Sequence, residues 1–272
     1  MFTDLEEIIN GLIDHFDKFN IDFFLVGAKA RDILAKNAGI KESPRKTSDV
    51  DFAVLVDSWD TLEKLRQSFV SDGNIEESSD KNNKVRYKFK GTPFDIVPFG
   101  KNIEKDGQIS FPPFYETLLT VIGYAEAMNT AQKIKIGKHE IKVTTAEMLV
   151  GLKLVSWDEN QARDRDAKDI NYILSNYTEF DADVELDIYD NFPELVDDFD
   201  AEMAFASIGL MGIRLSKFAD IAHKTLMITI LKDDEKRDRL SRIMNDLSGH
   251  NLDEKIEFSL KQLNALLNGL ER

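Results

Sequence analysis

The sequence predicts a mixed α/β (α+β) N-terminal domain followed by a helical C-terminal domain, on three observations. Short runs of β-formers alternate with amphipathic helical segments through the first two thirds of the chain. One such run, FFLV, passes directly into Gly27 and then into a helical segment. From Thr178 onward the apolar spacing is helical throughout, which sets the expected domains at 1–177 and 178–272.

Each element has its own signal. Leu5, Ile8, Ile9, Leu12, Ile13 and Phe16 repeat at the helical period, so a helix is expected from Thr3 to Phe19, with Thr3 and Glu6 at capping-box spacing. DFFLVG is a short buried strand ending at Gly27, and Ala28 to Lys36 follows as helix. Asn37 to Ser48 is polar, with Gly39 and Pro44, and reads as a loop. DVDFAVLV, from Asp49 to Val56, is a strand rich in β-formers, and Ser58 to Val70 is an amphipathic helix. Val85–Phe89 and Phe94–Pro98 are read as strands around a Gly91-Thr92 turn, and Gln132–Ile136 and Glu140–Val143 as a hairpin turning at Gly137-Lys138. Thr144 and Glu147 have capping-box spacing and open a helix through Trp157, and Arg165 to Tyr177 continues as helix.

Composition narrows the chemistry. The 272 residues include no cysteine, which excludes disulfides, thiolate metal sites and cysteine nucleophiles. No apolar run is long enough to span a bilayer, and the acidic start MFTDLEEIINGLIDHF lacks the features of a signal peptide. A cytoplasmic location and no membrane partner are therefore expected. The net charge is −15, of which residues 178–272 carry −10, from 21 acidic and 11 basic side chains. Glu179 to Glu202 alone holds eleven acids and no Lys or Arg. A polynucleotide partner must then find a local basic patch or a metal-bridged contact. His15, His139, His223 and His250 share no ligand spacing and are read as structural or surface residues.

Asp49 and Asp51 stand two apart at the opening of a strand, so their side chains share one face. Two adjacent carboxylates repel unless a cation sits between them, and a hard divalent ion such as Mg²⁺ or Mn²⁺ suits such oxygen ligands. Asp95, in TPFDIVPFG, completes a three-carboxylate metal site if its strand lies beside the first. The plain alternative is a solvated, charged strand face, because the same spacing recurs at Asp164/Asp166, Asp181/Asp183 and Asp198/Asp200 in a chain with thirty Asp. Only Asp49/Asp51 opens a six-residue strand signal and follows a strand–Gly–helix unit. Gly27 lets a phosphate approach the free N–H groups of the helix that follows, with Lys29 and Arg31 adding charge in the first turns. Equally, Gly27 is a plain strand-to-helix turn and Arg31 pairs with a nearby acid.

The blocks FFLVGAKARDIL, RKTSDVDFAVLV, FDIVPFG and MLVGLKLVSWDENQARDRDAKDINYIL, in this order and spacing, resemble the nucleotidyltransferase domain of AbiEii-type toxins, in the DNA-polymerase-β-like nucleotidyltransferase superfamily. The resemblance covers roughly residues 1–177 and implies a nucleotidyltransferase-fold mixed sheet with flanking helices. It implies that Gly27 and Ala28 form the triphosphate-binding turn, and that Asp49 and Asp51 are the paired metal ligands. It makes Asp95 the third carboxylate, a base or metal ligand, and gives Lys153 and Asp166 a part in nucleotide handling and catalysis. The implied reaction moves an NMP from an NTP to a tRNA or protein acceptor, in a toxin–antitoxin or phage-defence setting with an antitoxin partner. Two departures stand out: the turn is Gly-Ala, without a serine hydroxyl, and an inserted loop with Lys41, Arg45, Lys46 and Thr47 separates Gly27 from Asp49. Lys153 has apolar helical neighbours and either snorkels or points into a cleft, and Arg165 and Asp169 have the spacing of an ordinary helix pair. Two rival functions remain: a small-molecule, aminoglycoside-type nucleotidyltransferase, which the acidic run would suit, and a non-catalytic nucleotide-binding partner protein.

Overall fold

The computed structural model describes residues 3–40, 47, 49–79, 84–113, 115, 118–245 and 251–272. His250, the side chain of Thr3 and, from the inserted loop, Lys41, Arg45 and Lys46 lie outside the described residues. Among the described residues no helix is long and apolar enough to cross a membrane. Two compact units form: Met1–Ala30 with Lys46–Thr144, and Arg31–Arg45 with Thr145–Arg272.

The first unit contains α1 (Thr3–Lys18), β1 (Phe23–Val26), the start of α2 (Gly27–Asn37), β2 (Val50–Leu55), α3 (Trp59–Asp72), β3 (Ile75–Glu77), β4 (Arg86–Phe89) and β5 (Thr92–Phe99). It continues with β6 (Glu104–Lys105), β7 (Gln108–Ser110), β8 (Leu118–Thr120), α4 (Tyr124–Thr130), β9 (Gln132–Ile136) and β10 (His139–Val143). Seven strands form one mixed sheet in the order β3-β4-β5-β2-β1-β10-β9, with β2/β5 and β1/β10 parallel and the other neighbours antiparallel. The small sheet β6-β7-β8 has no counterpart in the sequence reading, because strands of two or three residues carry no resolvable period.

Alternation decides which face is buried. Val50, Phe52 and Val54 of β2, and Phe94 and Ile96 of β5, are buried. Phe69 of α3 meets Phe94 edge-on with centroids 6.2 Å apart, Phe16 of α1 lies 6.3 Å from Phe52, and Tyr87 of β4 stacks on Phe94 at 5.6 Å. These aromatic contacts place α1 and α3 on one face of the sheet, and Asp51 and Asp95, of opposite parity, point to the other. The β4–β5 hairpin turns at Lys90-Gly91, with φ of 48° and 86°, one residue earlier than the sequence predicts. Two consecutive positive φ values suit a tight two-residue hairpin loop, and Thr92 becomes the first paired residue, opposite Phe89.

The second unit contains α2 from Arg31, then α5 (Ala146–Glu159), α6 (Asp164–Ser175), α7 (Tyr177–Phe180), α8 (Val184–Asn191), α9 (Glu194–Asp198), α10 (Met203–Phe218), α11 (Ile221–Lys232), α12 (Asp234–Met244) and α13 (Leu252–Glu271). The sequence places the helices up to Tyr177 with the first domain, whereas α5 and α6 pack with the C-terminal helices α10, α11 and α12. The reason is local: α5 is buried on nearly every side, from Ala146 through Trp157, and a helix apolar all round needs helices around it. Its cap is Thr145, whose Oγ1 accepts from the Met148 N–H at 3.3 Å, not Thr144. Glu147 serves instead as acceptor for the Tyr177 hydroxyl at 2.5 Å. Helices α10 and α13 pack closely because a Cβ on Gly269 would strike the Gly209 carbonyl and lie 2.9 Å from Gly212 Cα. Part of the acidic run is compensated inside this unit: Arg214 donates to Asp181 at 2.6 Å and to Asp187 at 2.7 Å.

Candidate active site

Directly paired residues of neighbouring strands project to the same face. The register aligns Val26, Asp51, Asp95 and Arg86 across β1, β2, β5 and β4. Asp51 and Asp95 are therefore cross-strand neighbours, and Asp49, just before β2, is brought to the same cluster by its bond with Arg86. Crowded carboxylates call for a cation, and the same row supplies one. Arg86 Nε donates to Asp95 Oδ1 at 2.8 Å, while its terminal nitrogen donates to Asp95 Oδ2 and to Asp49 Oδ2, each at 3.1 Å. Hydrogen bonding to Asp95, the largest influence, holds the Arg86 guanidinium above its ordinary value. The side chains of Arg86, Asp49 and Asp95 are 36%, 34% and 17% exposed, so the cluster is open to a soluble ligand rather than sealed in the core.

The three acids that the sequence assigns to a shared ion are thus arranged as an Asp51/Asp95 pair, with Asp49 joined to Asp95 through Arg86. Among the described residues no three carboxylate or imidazole groups stand close enough to hold a metal ion as they are. The Arg86 guanidinium lies between Asp49 and Asp95. The donor set nonetheless fits a hard divalent ion: oxygen-only, anionic, partly exposed, and already engaged by a cation.

Gly27 bounds the site on the β1 side. Val26 pairs with Asp51, and Gly27 turns the chain into α2 with a φ of 70°. A Cβ at Gly27 would collide with the Asp51 carboxylate. Glycine is therefore required twice, by the left-handed backbone and by the approach of Asp51. The first turn of α2 leaves N–H groups free of intrahelical partners beside this carboxylate. Ala28 is buried behind the turn. Lys29 is half-buried, and its Nζ donates to the Thr47 carbonyl at 3.1 Å, which ties the helix start to the chain leading into Asp49.

Arg31, Lys153 and Asp166 lie in a buried ion-pair network, and for Arg31 this is the acid pairing that the sequence left open as the alternative. Arg31 is fully buried, paired with Asp32 and Asp169, and its guanidinium lies 5.7 Å from the centre of the Tyr172 ring. Lys153 is buried too, 2.6 Å from Asp169 and 3.2 Å from Asp166. Asp166 also accepts from Ser156 Oγ at 3.2 Å and pairs with Arg163 at 2.9 Å. These groups form one buried network that joins α2, α5 and α6 within the second unit. Asp169 pairs with Arg31 and Lys153, and it lies on the inward face of α6 beside Ile170 and Ile173, whereas Arg165 is exposed.

Sequence reasoning missed Arg86 and Asp169. Both were within reach of simple arithmetic. Counting back from a two-residue turn at Lys90-Gly91 sets Arg86 opposite Asp95. The helical period sets Asp166 and Asp169 on the same stripe as Ile170 and Ile173.

No curated protein matches this chain. Among solved structures, an antigenic nucleotidyltransferase-like protein from Paracoccidioides brasiliensis is 21% identical over 73% of this chain and 94% of its own, with a TM-score of 0.43. The antibiotic-resistance factor ANT(2'')-Ia, in solution, is 16% identical over 59% of this chain and 75% of its own, with a TM-score of 0.37. Its crystal structure in complex with adenylyl-2''-tobramycin is 15% identical over 59% of this chain and 81% of its own, with a TM-score of 0.36. A family model described as nucleotidyl transferase AbiEii toxin, type IV TA system, matches residues 16–261. That match runs from within α1 to within α13 and takes in the glycine turn, all three carboxylates and the buried Lys153–Asp169 network, so the chain belongs to the AbiEii nucleotidyltransferase family and is a nucleotidyltransferase.

Proposed function

We propose that this nucleotidyltransferase transfers an NMP from an NTP to a tRNA or protein acceptor, with Asp49, Asp51 and Asp95 as its metal-binding and catalytic carboxylates. The observation that supports this best is the cross-strand row Asp51–Asp95 beside the Gly27 turn, with Asp49 joined to Asp95 through Arg86. A divalent ion, Mg²⁺ or Mn²⁺, when bound there neutralises triphosphate charge and favours ionisation of the acceptor hydroxyl. Asp49 and Asp51, with one oxygen of Asp95, would hold the ion. Asp95 takes the proton of the attacking hydroxyl as its oxygen approaches the α-phosphorus, and pyrophosphate leaves on the opposite side. The first N–H groups of α2, at Gly27 and Ala28, with Lys29 beside them, bind phosphate oxygens. Catalysis on this reading is positioning and electrostatics. Lys153, Asp166 and Arg31 contribute by fixing α2, α5 and α6, since their charged ends are committed to one another. The physiological setting is a cytoplasmic toxin with an antitoxin partner.

A small-molecule acceptor of aminoglycoside type is the second reading. It is favoured by the exposed acids Asp183, Glu185 and Asp190 around α8. It is weakened by the neighbours Asp181 and Asp187, whose charge Arg214 already offsets. The deciding experiment incubates the protein with each α-labelled NTP and Mg²⁺ in the presence of total tRNA, a protein extract, or an aminoglycoside. Label on tRNA or protein is the expected result. Label on the aminoglycoside alone would overturn the acceptor class, and no label on any acceptor would leave only nucleotide binding.

A further inference from the structure

Arg86 occupies oxygen atoms that a metal ion needs. Its guanidinium takes both oxygens of Asp95 and one of Asp49. The position is built in by the backbone: the tight Lys90-Gly91 turn fixes Arg86 opposite Asp95, so the guanidinium and the carboxylate meet as an in-register cross-strand pair. A divalent ion must approach its ligand oxygens to about 2.0–2.6 Å, and where it takes the lone pairs of Asp95 and Asp49 that the fork now holds, the two cations compete for them. Both cations also repel each other at that range. With a third of its side chain exposed, Arg86 can swing outward, whereas Asp95 is fixed within the paired strand β5 and Asp49 stands just before β2.

We infer that Arg86 is a resident counter-ion of the carboxylate site, which takes the place of the metal in the metal-free protein and must be displaced from Asp49 and Asp95 for a divalent ion to bind. This rests on the proposed metal role of those carboxylates. It makes metal binding an exchange of one cation for another: the metal-free site is kept from self-repulsion, and metal affinity is set lower than three carboxylates alone would give. Of the cations among the described residues, Lys29 is engaged by the Thr47 carbonyl.

The test compares Mn²⁺ binding to the full-length wild-type protein and to Arg86→Gln by calorimetry without nucleotide, with melting curves in EDTA and in Mn²⁺. Removing a unit charge in contact with the ligand oxygens should tighten Mn²⁺ binding at least about tenfold. Arg86→Gln should melt lower than wild type in EDTA and gain more from Mn²⁺. Equal or weaker Mn²⁺ binding by a folded Arg86→Gln protein overturns the inference while leaving the metal site standing. No Mn²⁺ binding by either protein overturns the carboxylate site itself, and the inference with it. If Arg86→Gln does not fold, the wild-type protein still decides the matter. Mg²⁺ titration followed through the arginine side-chain N–H resonances should release one slowly exchanging Nε–H signal, and retention of that signal at saturating Mg²⁺ contradicts displacement.

Discussion

At the scale of single residues, the candidate site divides into groups that face solvent and groups that face one another. Asp51, half-buried, belongs to the first kind: it abuts Gly27, where β1 passes into α2, and pairs across to Asp95 on β5. Asp51→Ala removes one of three crowded negative charges, so repulsion falls as a ligand is lost. We expect transfer to drop by at least about a hundredfold, the scale for losing a principal electrostatic group, with a melting temperature near that of wild type. Labelled-NTP transfer and a thermal melt check both halves, and wild-type activity in the variant would refute the assignment. Lys153 belongs to the second kind. Lys153→Ala leaves Asp166 and Asp169 buried with less compensation, which should destabilise the fold by about 3–5 kcal/mol. A melting temperature unchanged from wild type, with weakened nucleotide binding, would return Lys153 to the role of ligand. The candidate acids are legible in the sequence because Asp-x-Asp at the opening of a strand signal stands out from its neighbours. It hides the partners of Arg86 and Arg31, because a charged residue's partner is set by strand register and helix packing, not by its own neighbours in the chain.

At the scale of elements, the long periodic segments are legible and the short ones are not. α1, α3, β2 and the β9–β10 hairpin fall within a few residues of where periodicity puts them. The shift of the β4–β5 turn by one residue matters more than its size suggests, since a one-residue error in register turns every side chain to the opposite face. β6, β7 and β8 are too short to announce themselves, and α5 reads as an outer helix of the first domain only until its all-round burial is seen. α11 carries a second consequence of burial. His223 is fully buried beside Gly151, and among the described residues neither ring nitrogen meets a hydrogen-bond partner. Loss of solvent holds this imidazole below its ordinary value of 6.5, against smaller opposing pulls from the backbone of Gly151, which lies outside hydrogen-bond geometry, and from Asp220. The unfolded chain then takes up a proton that the folded one refuses. The stability that comes with a neutral His223 is complete above about pH 6.5 and is lost as the pH falls toward the lowered folded value. Melting temperatures of wild type should therefore fall between pH 7.5 and 5.5 more steeply than those of His223→Leu. Parallel slopes for the two proteins would show that His223 does not titrate in this way.

At the scale of the whole molecule, charge bears on the acceptor. The chain carries −15 overall, with −10 between residues 178 and 272, and the helices there keep exposed acids such as Asp183, Glu185 and Asp190. A polyanionic acceptor approaches such a protein against its field, and a polycationic one with it. Screening weakens either effect, because the Debye length is already about 10 Å at 0.1 M salt and shortens further as salt is added. The sign of the salt dependence thus reports the charge of the acceptor before its identity is known. For tRNA at subsaturating concentration and fixed, saturating Mg²⁺, kcat/KM should rise as KCl increases from about 50 to 200 mM, as repulsion is screened. A neutral protein segment should give a flat profile, and an aminoglycoside a falling one. If kcat/KM for tRNA falls steeply instead, phosphate contacts with a local basic patch dominate the long-range field. The net charge of the chain would then be the wrong quantity from which to argue its acceptor.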